Sequence, residues 1–417
     1  MKKLTILLCL FISINLLSQK IYRTQIFNPS IKTLQIGVKG EKMGLPIIEL
    51  NSANVLQVGF DEMSFESHYF SYKVVHCNAD WTESNINSNE YLSGFTTANI
   101  TNYVLSVNTT VLYTHYTFDL PSSDMGFKIS GNYVVIIYED NQQEKPIAQA
   151  CFSVVEPHVK ISANIRGNSD FEMNTKWQQL DFDVELNGFS VRNASSEIKV
   201  LIRQNNRTDN EVFDVKPTYF SNSKLSYINN RNLVFEGGNE YHRFDISNVY
   251  GGGQGVDIIR FVAPTYNAYL IPDKIQTSKT YMQEMDVNGK FIINMQRAQN
   301  DDTEADYMNV HFTLPAKQPF FDGQIYLGGE FNYNLLNNIS RMKYDATTES
   351  YTQTILLKQG GYNYQYWFSP KGSTKASSER VDGSYWQTLN EYTIYIYHRA
   401  WGERYDRLVG IKSFTND

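Results

Sequence analysis

A period-two alternation of apolar and polar residues runs through the chain and limits what it can fold into. Leu180, Phe182 and Val184, for example, alternate with acidic residues. Successive side chains of a strand point to opposite faces of a sheet, so the pattern predicts half-buried strands. No sustained 3.6-residue period with two caps is present, and only short helices are expected, near 84–91 and 332–338. The chain is therefore predicted to be all-β.

Turn signals separate these short strands. Asn187-Gly188 and Asn288-Gly289 are typical of tight turns between strands. The run Tyr133–Tyr138 is apolar on both faces, as expected for a central strand of a sandwich. Many short strands with such spacing are typical of β-sandwiches. We therefore predict tandem immunoglobulin-like β-sandwich domains.

Two changes along the chain suggest domain boundaries. An apolar strand ends at Glu156-Pro157, and a region rich in Gln, Asn and Asp covers Gln296–Glu304. Segments of this size suit single sandwiches. The predicted division is a signal peptide at 1–18, an N-terminal sandwich at 19–156, a middle sandwich at 157–300 and a C-terminal sandwich at 301–417.

The first residues have the pattern of an export signal. Met1-Lys2-Lys3 is basic, Leu4–Leu17 is almost wholly apolar, and the small residue Ser18 precedes Gln19. This order is typical of a secretory signal peptide. The apolar run is too short for a stable membrane span, and no later stretch is apolar enough. We therefore expect a mature chain that starts near Gln19 in an oxidising compartment.

The composition excludes some classes of partner. The formal net charge is −7, and no basic run occurs, which argues against nucleic-acid binding. With 41% hydrophobic and 14% aromatic residues, the chain can form large packed cores. A membrane β-barrel is disfavoured because polar and apolar faces are mixed along the strands. Contact with a membrane is expected only through a partner.

Two cysteines remain after removal of the signal peptide. Cys77 and Cys151 both lie in predicted strands. In an oxidising compartment they could form one disulfide, and two buried free thiols are an equal alternative. The chain contains no CxxC pair and no zinc spacing.

Motifs for catalysis or metal binding are weak. The seven histidines include no HxH or HExxH spacing, and no GxSxG occurs. His76 and Cys77 are adjacent, but neighbours in a strand point to opposite faces. We therefore predict no catalytic residue, no cofactor and no metal ligand, and we expect no enzymatic activity.

The last segment carries an aromatic stripe. Its order of motifs, from Gly323–Asn332 to Gly360–Phe368, resembles early-set immunoglobulin domains of the glycogen-binding type. Alternation places Tyr362, Tyr364 and Tyr366 on one face. If exposed, they could stack on a sugar ring or contact a partner. The alternative is that this face belongs to the core, and the pattern favours it modestly.

Dispersed motifs along the chain resemble those of a known envelope family. They are Val58–Glu62, Tyr72–Trp81, Tyr91–Phe95, Tyr113–Tyr116, Ser130–Tyr133, Gln204–Arg207, Phe235–Glu240, Leu356–Gly360 and Tyr405–Leu408. Their order resembles the plug proteins of the type IX secretion system, a Bacteroidetes family once classed as a domain of unknown function. The resemblance covers nearly the whole mature chain.

That resemblance implies a non-enzymatic periplasmic protein. Such a plug would bind the very large outer-membrane translocon barrel and close its periplasmic opening when no cargo is engaged. It implies no small-molecule substrate. Two other hypotheses remain: a carbohydrate-binding envelope protein that uses the C-terminal domain, and an exported cargo protein. The latter would carry a C-terminal sorting domain, which is not evident here.

Overall fold

The computed structural model describes residues 20–140, 142–169, 172–277 and 280–416, so the predicted signal peptide at 1–18 lies outside the described residues. Strands dominate the described part, and the predicted all-β class with β-sandwich domains is confirmed. Its few helices are single turns. They are α1 (Ser88–Tyr91), α2 (Ala194–Glu197), α3 (Asp301–Glu304) and two 3-10 turns at Arg231–Leu233 and Glu330–Asn332.

The first sandwich contains the first twelve strands. One sheet has the order β1-β12-β11-β5-β7 with β3 beside β12, and the other has the order β2-β4-β9-β8. Their strands and the short β6–β10 pair are β1 (Gln25–Ile26), β2 (Ile31–Val38), β3 (Ile47–Glu49), β4 (Leu56–Glu62), β5 (Phe70–Cys77), β6 (Leu92–Gly94), β7 (Thr97–Ile100), β8 (Asn102–Leu105), β9 (Thr114–Leu120), β10 (Met125–Phe127), β11 (Gly131–Glu139) and β12 (Pro146–Val155).

The chain then begins a second sandwich. Its strands up to this point are β13 (Lys160–Arg166), β14 (Trp177–Glu185), β15 (Ile198–Gln204), β16 (Val212–Phe213), β17 (Tyr219–Phe220), β18 (Lys224–Tyr227) and β19 (Val234–Glu236). One sheet has the order β13-β14-β18-β17, with β19 beside β14. The second sheet needs strands from the end of the chain, as described below.

The third sandwich follows before the second is complete. Its strands are β20 (His242–Asp245), β21 (Val256–Val262), β22 (Thr265–Leu270), β23 (Phe291–Ile293), β24 (Tyr307–Pro315), β25 (Gly323–Gly328), β26 (Lys343–Asp345), β27 (Ser350–Lys358) and β28 (Gly360–Pro370). The order β21-β22-β24-β27-β26 forms one sheet, and β20, β23 and β25 surround β28 in the other.

The last two strands, β29 (Glu391–His398) and β30 (Arg407–Thr415), return to the second sandwich. Its second sheet has the order β16-β15-β29-β30, and Val200 of β15 pairs with Ile396 of β29. The third sandwich is thus inserted between β19 and β29. The predicted boundary between 300 and 301 does not separate the sheets, because alternation identifies a strand but not its partner in the sheet.

The two connections of the insertion run side by side. Tyr385 N donates to Gly238 O at 2.8 Å, and Gly237 N donates to Lys176 O at 2.8 Å. A Cβ on Gly237 would collide with the Tyr385 carbonyl. Glycine is therefore required at this crossing, because the two backbones approach too closely for any larger residue.

Strand β11 is apolar on both faces for a reason that the structure makes clear. Val135 and Ile137 point into the core of the first sandwich. Val134 and Ile136 point the other way, into an apolar cluster shared with the second sandwich. The strand predicted as central lies in the middle of its sheet, and the sheet itself lies between two apolar cores.

Candidate functional site: the sandwich junctions and the exposed hairpin

The tyrosine stripe predicted as a binding site lies in the third core. Tyr362, Tyr364 and Tyr366 do share one face of β28, but each is at most 3% exposed. The hydroxyls of Tyr364 and Tyr366 donate to Asp273 at 2.5 and 2.7 Å. These rings are therefore closed to a sugar or partner, and the core alternative describes them. In the sequence, the adjacent apolar residues Trp367 and Phe368 indicate that β28 is buried on both faces.

A charged histidine lies beneath these tyrosines. His242 Nε2 is 2.9 Å from Asp382 Oδ1, and Nδ1 is 3.2 Å from Asp273 Oδ1. Burial alone would lower the pKa of His242, but the two carboxylates outweigh it and raise the pKa well above the ordinary value. The cluster was not anticipated from the sequence, since its members lie 31 and 140 residues apart. It connects β20 with the irregular segment after Leu270.

Cys77 and Cys151 are both free thiols, so the disulfide alternative does not hold. Strand β11 separates them, since Cys77 pairs with Asn132 and Cys151 with Val134. Two strand spacings give about 10 Å between them, whereas a disulfide needs Cα atoms within about 7 Å. Burial raises the pKa of both thiols, that of Cys151 to about 12. Both therefore stay protonated and unreactive at neutral pH.

A buried ion pair joins the first and third sandwiches. Lys358 Nζ lies 2.6 Å from Asp61 Oδ2, and each side chain is 1% exposed. The same oxygen accepts from the Tyr307 hydroxyl at 2.6 Å, and His115 Nδ1 lies 2.5 Å from the other oxygen. Burial alone would raise the pKa of Asp61, but Lys358 and His115 outweigh it and hold the pKa below its ordinary value. Asp61 is therefore ionised at neutral pH.

Further hydrogen bonds surround this pair, which we call the charged junction. Asp306 accepts from Thr110 N at 2.8 Å and from Val111 N at 3.0 Å. Tyr333 OH donates to Leu34 O at 3.2 Å. These contacts connect a loop and strand β2 of the first sandwich with the residue before β24 and with the turn that follows β25. Directional bonds of this kind fix the orientation of the two sandwiches.

The first and second sandwiches meet differently. An apolar cluster includes Trp81, Val134, Leu201, Tyr395 and Leu408, all buried. We call this contact the apolar junction. At its rim, the buried Asp406 carboxylate accepts from Ala79 N at 2.9 Å and pairs with Lys199 at 3.1 Å. Hydrophobic burial dominates here, with one buried carboxylate at its edge.

The second and third sandwiches are joined as well. The Arg207 guanidinium lies 4.0 Å above the Trp367 ring and pairs with Asp209 at 2.7 Å. Lys290 of the insertion pairs with Glu391 at 2.6 Å. Each sandwich therefore contacts both others, and the three form a closed ring. Residues from all three line a cavity of about 170 Å³ between them.

Trp401 is one of several large aromatic side chains that project from this body. Trp401 lies in the β29–β30 connection and is 91% exposed. Its loop is held by ion pairs of Arg399 with Asp406 at 2.8 Å and of Arg404 with Glu90 in the first sandwich. Arg407 also lies 3.4 Å from Glu403. A tryptophan on a fixed support is typical of a binding hot spot.

The described residues contain neither a candidate membrane-spanning helix nor a candidate metal site. None of their helices has the length and apolar character that a membrane crossing requires. No group of three or more His, Cys, Asp and Glu side chains in the described ranges is placed to hold a metal ion.

Comparison with known proteins adds the family. The chain is similar to a hypothetical protein from Parabacteroides merdae whose crystal structure is known at 2.30 Å. The two are 41% identical, with a TM-score of 0.94 over 95% of this chain and 100% of that chain. No protein with a curated description is significantly similar in sequence. The family model of the type 9 secretion system plug protein 1st domain matches residues 31–156, which hold the core of the first sandwich. Residues 31–156 therefore belong to the type 9 secretion system plug protein family.

Proposed function

We propose that the chain is a periplasmic plug. It binds the large outer-membrane barrel of the type IX secretion translocon and closes the periplasmic opening of that barrel when no cargo is engaged. The match of residues 31–156 to the plug protein family carries this proposal. The export signal predicted at 1–18 supports the location.

The closed ring of sandwiches suits such a role. A barrel wide enough for folded cargo leaves a large aqueous opening. A body that covers it must keep its shape without support from inside the pore. Here the Asp61–Lys358 pair, the apolar junction and the Arg207–Trp367 contact tie the sandwiches pairwise. Rotation of any one sandwich would break two of these contacts.

We propose that plugging needs no catalysis. The buried ionisable groups described above serve structural contacts: Asp61 neutralises Lys358, and His242 is held between two carboxylates. The two thiols have raised pKa values. These observations favour a scaffold whose polar groups hold domains together.

Trp401 is the residue that we expect to contact the barrel. It is 91% exposed on a loop that ion pairs hold to strand β30 and to the first sandwich. Burying such a ring against a partner gains apolar area at a low cost in entropy, because the support is already ordered.

Affinity purification tests the partner. The tagged full-length chain is isolated from detergent-solubilised envelopes, and co-eluting proteins are identified by mass spectrometry. We expect one very large outer-membrane barrel protein in near-equal amount. Elution of the chain alone, or with polysaccharide, would contradict the proposal.

A permeability assay tests closure. Cells that lack the chain should admit large hydrophilic antibiotics that wild-type cells exclude, and the wild-type gene should restore exclusion. If the barrel co-purifies but permeability does not change, the chain binds the barrel without closing it.

The carbohydrate alternative is not proposed. It rested on the glycogen-binding-like C-terminal segment, and the candidate contacts of that segment, Tyr362, Tyr364 and Tyr366, are buried in the third core.

A further inference from the structure

One edge of the first sandwich lacks charge over a long stretch. No Asp, Glu, Lys or Arg occurs between Glu90 and Asp119. This stretch contains β7 and β8, which are the last strands of the two sheets on one side of the sandwich. Exposed edge strands usually carry charges or proline, because an unprotected edge invites pairing with another chain.

Strand β8 is exposed on both faces. Tyr103 is 46% exposed, Val104 48% and Leu105 36%, and alternation places Val104 opposite the other two. The corresponding edge of the third sandwich, β21, also exposes apolar residues, such as Phe261. However, β21 carries Asp257 and Arg260, and the edge strand β26 carries Lys343 and Asp345. Unlike β21 and β26, β8 carries no protective charge.

The register shows which backbone groups face outward from β8. Ser106 N donates to Tyr113 O at 2.9 Å, so Ser106 points toward β9. Alternate residues of an antiparallel strand point the other way. Val107 does so, since its N–H donates outward to Thr303 O at 2.8 Å. By the same alternation, Tyr103 and Leu105 direct their N–H and C=O groups to the open edge.

We infer that this edge pairs with an extended, uncharged segment of the translocon, which adds a fifth strand beside β8. The inference rests on the proposed plug function and specifies its contact. The outward groups of Tyr103 and Leu105 repeat at about 7 Å, a spacing that another extended backbone matches. A lipid surface or a helix face offers no such row of donors and acceptors. The exposed apolar side chains on both faces favour apolar neighbours on the added strand.

Substitutions on two edges test the inference. The double variant Tyr103→Lys with Leu105→Lys places charges on β8, and Phe261→Lys with Val262→Lys is the matched control on β21. Both alter exposed residues of edge strands. In affinity purification from envelopes, we expect the β8 variant to retain at least about tenfold less barrel protein, which corresponds to about 1.4 kcal/mol. The β21 variant should retain as much as the wild type.

Hydrogen exchange tests the backbone contact without a substitution. Exchange is compared by mass spectrometry for the free chain and for the purified complex. Amides of Tyr103 and Leu105 should exchange at least about tenfold more slowly in the complex, because a paired strand engages them. This measurement also decides the matter if the β8 variant fails to fold.

The outcomes distinguish this inference from the plug function. If the wild type retains the barrel while the β8 variant retains as much and the amides stay unprotected, the edge inference fails and the plug function stands. If the wild type retains no barrel, both fail. If the β8 variant retains less barrel protein and the amides of Tyr103 and Leu105 are protected in the complex, the edge inference and the plug function are both supported.

Discussion

The two junctions of the first sandwich differ in chemistry. Toward the second sandwich it buries Trp81 and Val134 against Tyr395 and Leu408. Toward the third it buries the Asp61 carboxylate against Lys358. Apolar contact is strong but tolerates small shifts, whereas a buried ion pair is favourable only in one geometry. The difference suggests that the apolar junction provides adhesion and that the charged junction sets the angle between sandwiches.

Breaking the charged junction should cause the largest loss in the free energy of unfolding. Lys358→Met leaves the Asp61 carboxylate buried without its cation, and we expect a loss of about 3–5 kcal/mol in the free energy of unfolding. Denaturant titration of the full chain measures this. The control is Lys39→Met, because Lys39 pairs with Asp119 at 2.7 Å but is 54% exposed. It should cost less than about 1 kcal/mol. Equal losses would show that burial does not matter here.

A substitution in the apolar junction should cause the next largest loss of stability. Leu201 is 1% exposed in the shared cluster, and Leu201→Ala should cost about 2–4 kcal/mol by loss of burial and cavity formation. The matched control is Leu112→Ala, since Leu112 is 49% exposed. Thermal and denaturant unfolding would compare the two. Similar small losses would mean that the cluster is not tightly packed.

Low pH should destabilise the apolar junction more than the charged junction. His76 contacts the ring of Tyr405 across the apolar junction, and burial lowers the pKa of His76 to about 4. Its neutral form is favoured by folding, so this stability is fully present above about pH 6.5 and is lost as pH falls toward 4. Between pH 7 and pH 5 the loss is about 2 kcal/mol. Asp61 should stay ionised there, because its pKa is held below the ordinary value.

Unfolding free energies at pH 7 and pH 5 measure this effect. His76→Gln should remove most of the difference, while Asp61→Asn should leave it in place. A difference that persists in His76→Gln would assign the acid sensitivity to another group.

A substitution of Trp401 in the β29–β30 connection should have the smallest effect on stability. Trp401→Ala should change the free energy of unfolding by less than about 0.5 kcal/mol, because the ring touches little of its own chain. Retention of the barrel should nevertheless fall about tenfold or more. Tyr250→Ala is the control, since Tyr250 is 94% exposed on a glycine-rich loop. If both variants retain the barrel fully, Trp401 is not a contact.

Local features were predictable from the sequence, whereas contacts between distant parts were not. Alternation identified β14, and the apolar run identified β11. The pair Asp61 and Lys358 is separated by 297 residues, and no local pattern relates the two positions. The tyrosine stripe of β28 was ambiguous because one alternating face looks the same whether solvent or a second sheet covers it.

The insertion of the third sandwich has a consequence for how the chain acquires its structure. Strands β29 and β30 complete the second sandwich, yet they follow every other described strand along the chain. The first sandwich can fold early from contiguous sequence, but the second must wait until the whole insertion has emerged. Loop closure over such a distance slows folding. A chain that stops after residue 380 would therefore keep the first core and most of the third. Its second sandwich would lack β29 and β30 and would not fold.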